Sequence, residues 1–130
     1  MPSLTFPYMN YGEMGVPVIP FEIKGDTWHE IWGFVDSGAT YTVLHAEEGH
    51  RLGLNPFDGE KIMVTVGDGG SIPVYLHTLP VRVGSHEFEA MIGFSDRLGV
   101  DLNIIGRASF FEEFVVCFDD RKKVLTLRTR

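Results

Sequence analysis

The stretch that decides how this sequence is interpreted is Phe34-Val35-Asp36-Ser37-Gly38-Ala39-Thr40. An apolar run ends in a carboxylate, and a hydroxyl residue and a glycine follow it. The apolar run can anchor Asp36 against a core, while Gly38 permits a tight turn that brings backbone N–H groups toward the carboxylate. Ser37 can add a hydrogen bond that fixes the turn. Asp-Ser-Gly is also a common turn sequence, so the tripeptide alone does not establish a site.

Two later segments belong with this stretch. One is a second apolar run that ends in glycine, Asn103-Ile104-Ile105-Gly106-Arg107. The other is the glycine-rich tip Gly67-Asp68-Gly69-Gly70, which lies between strand-like runs at 61–66 and 72–76. Two such runs around a flexible tip predict a hairpin that can act as a lid over the site.

The rest of the chain alternates short β-rich runs with turn signals, and it contains fifteen Gly and seven Pro. This pattern predicts a mainly β fold of barrel or sandwich type with one or two short helices. We expect an irregular N-terminal arm over residues 1–15 and a single domain over 16–130. One helix is predicted to begin at Thr42 as its N-cap and to end before Gly53. The other predicted elements are strands at 17–23, 27–35, 79–83, 87–92, 114–119 and 124–127, and a short helix at 108–114.

The composition narrows the possible partners and compartment. The net charge is −7 and no basic stripe is visible, which argues against nucleic acid and against an anionic membrane surface. The single cysteine, Cys117, cannot form an intrachain disulfide, and its apolar surroundings predict a buried, inert thiol. The first ten residues do not resemble a signal peptide, and no run approaches the roughly 20 apolar residues of a membrane span. We therefore expect a cytoplasmic protein.

Other chemistries have weaker support in the sequence. His45 and His50 are five residues apart, a spacing that does not place them on one helix face, and no His-x-x-x-His pattern occurs. No Gly-x-Ser-x-Gly elbow and no phosphate-binding loop are present. The sequence predicts neither a metal site nor a cofactor.

Taken in order, the Asp-Ser-Gly-Ala segment, the glycine-tipped hairpin and the Ile-Ile-Gly-Arg segment resemble the retropepsin-type aspartic peptidases. The similarity extends to the bacterial members of that group, which continue with a short phenylalanine-bearing helix and a terminal hairpin, as residues 110–127 do here. It covers about 17–127. The resemblance implies a small closed or partly open β-barrel of the acid-protease type.

The resemblance also implies roles for individual residues. Asp36 is the expected catalytic aspartate, and Ser37 is expected to cross-link two such loops at a dimer axis. Gly38 gives the turn and its backbone lies near the substrate, while Ala39 and Thr40 complete the loop. The implied flap carries Gly67, Asp68, Gly69 and Gly70 at its tip, and the residues implied to support the loop are Ile104, Ile105, Gly106 and Arg107.

Aspartic peptidase chemistry needs two carboxylates that share one proton, because like charges about 3 Å apart cannot both ionise comfortably. This chain offers one Asp-Ser-Gly, since Asp58 and Asp68 precede glycine directly and are interpreted as turn residues. The second carboxylate is therefore expected from another copy across a two-fold axis. The sequence predicts a homodimeric endopeptidase that acts on peptide or protein substrates.

Two departures from the family pattern leave an alternative open. In the retroviral enzymes an acidic residue four places after the catalytic aspartate pairs with the arginine of the Gly-Arg motif, but Thr40 occupies that place here. Ala108 stands where Asp or Asn commonly follows the arginine. Arg107 thus lacks its usual partner, and the alternative is a catalytically silent dimerisation or peptide-binding module on the same fold.

Overall fold

The computed structural model describes residues 2–130 and shows a mainly β chain with two short helices. The helices are α1 (Ala46–Arg51) and α2 (Phe110–Glu113), and a single 3-10 turn covers Pro56–Asp58. The strands are β1 (Ser3–Pro7), β2 (Met9–Tyr11), β3 (Met14–Val16), β4 (Val18–Lys24), β5 (Trp28–Val35), β6 (Thr42–His45), β7 (Glu60–Thr65), β8 (Ser71–Val83), β9 (His86–Ser95), β10 (Asn103–Ile105), β11 (Phe114–Asp119) and β12 (Val124–Thr129).

A seven-stranded sheet forms the barrel. Its strands are hydrogen-bonded in the order β4-β5-β10-β6-β9-β8-β7, and β4 also pairs with β8, which closes the sheet on itself. At this closure Arg82 donates two hydrogen bonds to the carboxylate of Glu22, at 2.9 and 3.0 Å. These bonds hold the pKa of Glu22 below its ordinary value. The β-barrel predicted from the sequence is confirmed.

Strand β10 is the element that positions the site. It runs parallel to β5, with Ile105 opposite Val35, and antiparallel to β6 on its other side. The neighbouring ends of two parallel strands lie at the same edge of a sheet. The residues that follow Val35 and Ile105 therefore leave the barrel side by side.

The core fills the barrel and extends under α2. The largest fully buried side chains include Phe21, Phe94 and Phe114. Phe110 of α2 packs edge-on against Phe21, with 5.5 Å between ring centroids, and against Phe88 at 5.4 Å. Edge-to-face aromatic pairs at this spacing are favourable beyond the area that they bury. They fix α2, which follows Arg107 closely, against the barrel.

The N-terminal arm predicted to be irregular over residues 1–15 contains three strands instead. Strand β1 pairs antiparallel with β12, which also pairs with β11, and β2 forms a hairpin with β3. The prediction was wrong because the partner of β1 lies some 120 residues further along the chain, so no local sequence pattern indicates this strand. Met1 lies outside the described residues.

The helix predicted to begin at Thr42 starts later. Thr42, Val43 and Leu44 belong to β6 and are buried, and α1 begins only at Ala46. These residues pair with β9 and β10 in the middle of the sheet. Tertiary burial between two strands thus outweighs the local cap pattern, and β-branched residues fit such a position.

Two further predictions, one on burial and one on strand bounds, also need correction. Cys117 is exposed rather than buried, because β11 lies at the edge of its small sheet and only Phe114 of that strand is fully covered. The segments predicted as separate strands at 72–76 and 79–83 form one continuous strand, β8. Val74 in this strand is fully buried and packs close to Gly93, so it belongs to the core.

The predicted hairpins are present. Strand β4 pairs with β5, β7 with β8, β8 with β9, and β11 with β12, each at a turn that the sequence signals. No helix within residues 2–130 combines the length and the apolar character that crossing a bilayer requires.

Candidate active site

Asp36 stands at the point where β5 leaves the barrel. Val35 before it is buried, and its N–H donates to the carbonyl of Pro17 at 2.9 Å. The N–H of Asp36 donates to the carbonyl of Ile105 at 2.9 Å, which continues the pairing of β5 with β10 by one residue. The backbone at Asp36 is therefore held on both sides, so the position of its carboxylate is set by the barrel.

The loop turns back at once around the carboxylate. The N–H of Gly38 donates to Oδ1 of Asp36 at 2.9 Å, and the N–H of Ala39 donates to the carbonyl of Asp36 at 3.1 Å. A Cβ on Gly38 would lie 3.2 Å from that same Oδ1, closer than side chains ordinarily pack. The half-buried carboxylate thus accepts one backbone bond through Oδ1, while Oδ2 has no partner within residues 2–130.

The segment after β10 is hydrogen-bonded to this loop through its backbone. The N–H of Arg107 donates to the carbonyl of Ala39 at 2.9 Å, and the N–H of Ala108 donates to that of Thr40 at 2.8 Å. Gly106, the residue before Arg107, is buried, and its N–H donates to Oγ1 of Thr42 at 3.1 Å. These hydrogen bonds join two stretches more than sixty residues apart into one rigid unit.

Gly106 occupies a position that no side chain can enter. An added Cβ would lie 2.2 Å from the carbonyl oxygen of Tyr41 and 2.3 Å from its carbonyl carbon. Glycine is required here because the two backbones cross at this distance.

The residues predicted to support the loop lie around this crossing. Ile105 is buried in the core, Ile104 pairs with Val43 and with Phe34, and both belong to β10. The structure thus brings the predicted loop and the predicted Ile-Ile-Gly-Arg segment together. Ser37 is exposed, and its hydroxyl has no hydrogen-bond partner in the described part of the chain.

The predicted flap is a separate hairpin formed by β7 and β8. At its tip the N–H of Val66 donates to the carbonyl of Gly70 at 2.9 Å, and the N–H of Gly70 donates to Oδ1 of Asp68 at 2.8 Å. Gly69 has a φ of 87°, a left-handed conformation that favours glycine. All hydrogen bonds of residues 66–70 found among residues 2–130 stay within the hairpin.

Arg107 is exposed, and its guanidinium forms neither a hydrogen bond nor an ion pair with any residue from 2 to 130. It lines a cleft of about 670 Å³ that also touches the loop after Asp36, and the other lining residues are Ser37, Gly38, Thr40, Ala108, Phe111 and Glu112. Oε1 of Glu112 accepts the N–H of Ser109 at 3.0 Å, which caps α2. The arginine therefore lies beside the loop with no acid attached to it.

Two residues that support the site were not recognised in the sequence. Thr42 was interpreted as a helix cap, but its hydroxyl accepts the N–H of Gly106 from inside the sheet. Asn103 is buried, donates to the carbonyl of Trp32 at 3.0 Å and to Glu48 at 2.8 Å, and accepts the N–H of His45 at 2.9 Å. A polar residue at the start of the apolar run 103–105 was the available signal for Asn103.

Chemically, the loop presents a single carboxylate at a strand end with one oxygen free. The other two Asp-Gly pairs lie elsewhere: Asp58 ends the 3-10 turn, and Asp68 lies at the hairpin tip. A single carboxylate can act as a base or as an acid in one step, but not as both.

The chain is similar to known proteins in sequence and in fold. A family model described as aspartyl protease matches residues 19–106, which include the loop, the hairpin and the Gly-Arg segment. No curated protein sequence matches the chain significantly.

Many solved structures share the fold, including those of two proteases. One is the crystal structure of a retropepsin-like aspartic protease from Rickettsia conorii, with a TM-score of 0.70 and 20% identity over 98% of this chain and 99% of that one. The other is the EIAV protease in complex with the inhibitor HBY-793, with a TM-score of 0.52 and 22% identity over 76% of this chain and 88% of that one. The fold is thus retropepsin-like, and the match over residues 19–106 shows that the chain belongs to the aspartyl protease family.

Proposed function

We propose that the chain is an aspartic endopeptidase that acts as a homodimer, with Asp36 of each copy forming the catalytic pair. The observation that carries this proposal is the loop around Asp36. One carboxylate oxygen is bound by Gly38, the other is free, and the backbone is fixed by Ile105. A carboxylate held so firmly at the edge of a barrel is arranged to meet a second group there.

The proposed chemistry needs two Asp36 carboxylates about 3 Å apart that share one proton. The ionised carboxylate removes a proton from a water molecule, whose oxygen attacks the scissile carbonyl carbon. The protonated carboxyl polarises the carbonyl oxygen and transfers its proton to it. The leaving nitrogen then receives a proton from the pair and the C–N bond breaks. As the carbonyl re-forms, a hydroxyl of the tetrahedral diol gives a proton back to the pair, which restores the shared proton.

The substrate in this proposal is an extended peptide that lies between the loop and the flap. Side chains alternate along β7, where Ile62 and Val64 are half-buried while Met63 and Thr65 are exposed. Ile62 and Val64, with Ile72 opposite Val64, are the apolar candidates to contact substrate side chains. Val74 of the same hairpin is excluded by its burial in the core.

A second candidate function is a catalytically silent dimerisation or peptide-binding module. The observation that favours it is the unpaired guanidinium of Arg107, since the resemblance implies an acid at position 40, where Thr40 stands. The backbone bonds from Arg107 and Ala108 to the loop are nevertheless in place, and they fix the loop without that ion pair. The cytoplasmic location stays a prediction of the sequence.

The test of activity is cleavage of an unfolded protein and of a peptide library by the purified chain across a range of pH. Asp36→Asn keeps the shape of the side chain and removes its charge, so we expect cleavage to be lost while the dimer and its thermal unfolding are retained. Cleavage that survives in Asp36→Asn rejects the peptidase proposal. A well-formed wild-type dimer without cleavage at any pH supports the silent module.

The test of a shared pair is a mixing experiment. When wild-type and Asp36→Asn chains are unfolded together in equal amounts and refolded, about a quarter of the dimers carry two intact carboxylates. We expect activity to fall to about that fraction of the wild-type value at the same total concentration. A fall to only one half would show that each chain cleaves by itself.

A further inference from the structure

The hairpin of β2 and β3 carries an uncovered apolar face. Met9 pairs with Val16, and Tyr11 pairs with Met14. Residues directly opposite in an antiparallel pair share a face, and so do residues two apart along a strand. All four side chains therefore lie on one side, where Met9, Tyr11 and Met14 are 42%, 48% and 69% exposed. We call this hairpin, from Met9 to Val16, the arm.

The arm is attached to the rest of the chain at its two ends. At one end, the N–H of Tyr8 donates to the carbonyl of Lys123 at 2.8 Å, and its hydroxyl donates to Asp120 at 2.7 Å. Burial and then this second bond raise the pKa of Tyr8 to about 12. At the other end, Pro17 accepts the N–H of Val35, the residue before Asp36.

A two-stranded hairpin is at best marginally stable in water unless its apolar face is covered. Met14 is the most exposed large apolar side chain in residues 2–130. Three such side chains on one face of a small hairpin form a patch of the kind that marks an interaction surface, whereas single exposed side chains need no explanation. The arm is thus held in place at its ends and is ready to contact another surface along its length.

We propose that the arm docks on a second copy of the chain, over the cleft beside that copy's catalytic loop. This inference rests on the proposed homodimer. The arm ends at Val16, next to Pro17, whose carbonyl accepts the N–H of Val35 just before Asp36, and the dimer would bring two such junctions together. Its three-residue strands extend about 10 Å, enough to pass from one loop to the other. By two-fold symmetry the contact occurs twice.

The surface of the cleft suits the arm. Ala108, half-buried Phe111 and Thr40 give it apolar area, and Arg107 gives it a positive charge that forms no ion pair within residues 2–130. The arm carries one charged residue, Glu13, which is exposed in the turn between β2 and β3. The proposal pairs Glu13 of one copy with Arg107 of the other, so the acid that the resemblance implies at position 40 comes from the second copy. The cleft also contains Glu112, one oxygen of which caps α2.

The apolar part of the contact is tested by measuring the dimer dissociation constant with sedimentation equilibrium on the full chain. We expect Met14→Ser to weaken the dimer at least about tenfold, because a methionine that is buried at two symmetry-related places loses its apolar partner. Asn10→Ser, on the opposite face of the same hairpin, and Val100→Ser, an exposed apolar residue in a loop after β9, are the matched controls and should leave the constant unchanged. Far-ultraviolet circular dichroism verifies that each variant is folded.

The charged part is tested by exchange. Glu13→Arg and Arg107→Glu should each weaken the dimer about tenfold, and the double variant should recover most of the loss, since it restores an opposite pair. A double variant as weak as the sum of the two single losses overturns the pairing.

The remaining outcomes separate this inference from the proposed function. A wild-type dimer that Met14→Ser leaves equally tight overturns the docking of the arm and keeps the homodimer. If Met14→Ser instead raises KM for a peptide without any change in dimerisation, the arm contacts substrate and the inference is wrong. A wild-type chain that cleaves as a monomer overturns both.

Discussion

Asp36 and Asp68 make the same local hydrogen bond and have different surroundings. Each carboxylate accepts, through Oδ1, the N–H of the glycine two residues further on, at 2.9 Å for Gly38 and 2.8 Å for Gly70. Around Asp36 the backbone is also bonded to Ile105 and the loop to the segment after it. Around Asp68 the bonds stay inside the hairpin tip.

The difference shows which surroundings make an aspartate in a tight turn a candidate site. The local sequence supplies the bend in both places. Only at Asp36 do a buried strand before the bend and a second strand beside it hold the carboxylate against movement, as preorganised chemistry requires. The tip around Asp68 has no such bonds to the barrel within residues 2–130, which suits the proposed flap, because a lid has to open for the substrate.

The largest expected contrast is in activity. Asp36→Asn should lower kcat/KM by roughly 10²–10⁴-fold, the usual contribution of a group that transfers protons in the reaction. Asp68→Asn removes the same charge from the tip of the β7–β8 hairpin and should change kcat/KM by only about twofold, since Asp68 transfers no proton in the proposed reaction. Steady-state cleavage of one peptide by both variants measures this contrast. Equal losses in the two would remove the distinction between loop and flap.

The next contrast is in stability and concerns glycines. Gly106→Ala places a Cβ 2.2 Å from the carbonyl oxygen of Tyr41. We expect the free energy of unfolding to fall by about 3 kcal/mol, because the backbone has to move to make room for the added Cβ. Gly67→Ala meets nothing within 4 Å at the flap tip and should change that free energy by no more than about 0.5 kcal/mol. Urea unfolding measures both, and a Gly106→Ala variant as stable as Gly67→Ala would contradict the close crossing.

A smaller contrast concerns two threonines. Thr42→Val keeps the shape of a buried side chain but leaves the N–H of Gly106 without an acceptor, which should cost about 1–3 kcal/mol of unfolding free energy. Thr65→Val changes an exposed residue of β7 and should stay within about 0.5 kcal/mol of the wild type. If both variants are equally stable, the hydroxyl of Thr42 does not hold the segment after β10.

The smallest expected effect is confined to the flap tip. Gly69→Ala puts a Cβ on a left-handed residue, at a local cost of about 1–2 kcal/mol. Amide exchange at Val66 and Gly70 should become about tenfold faster, while global unfolding stays unchanged because the tip opens separately. Gly67→Ala, which has no positive φ, is the control. A loss of global stability in Gly69→Ala would mean that the tip is joined to the barrel.

The sequence predicted those parts of the fold that are signalled locally. The hairpins of β4 with β5 and of β7 with β8 follow from alternation and turn residues, and the second of them was located by its glycine-rich tip. The mainly β class follows from the same signals. The Asp36 loop and the segment around Gly106 could be paired only through the family resemblance, since nothing local shows that they touch.

What the sequence could not predict depends on partners far along the chain. Thr42 has the composition of a helix start but lies in the sheet because β9 and β10 flank it. No local sequence pattern indicates strand β1, because its partner β12 is far away along the chain. Cys117 lies in an apolar run, yet it is exposed because the sheet that contains it is small and ends at β11. Periodicity reports the neighbours of a residue along the chain, and these three positions are decided by neighbours in space.

The pairing of β1 with β12 has a consequence for timing. During synthesis the chain leaves the ribosome from its N-terminal end, and domains fold as units once their strands are available. Strand β1 must wait for the last strand, and Tyr8 must wait for Asp120 and Lys123 before the arm has its anchor. Pairings this distant along a chain also form slowly. A nascent chain would therefore complete its barrel before its arm is placed, and in the proposed homodimer the arm could dock only after β12 has been synthesised.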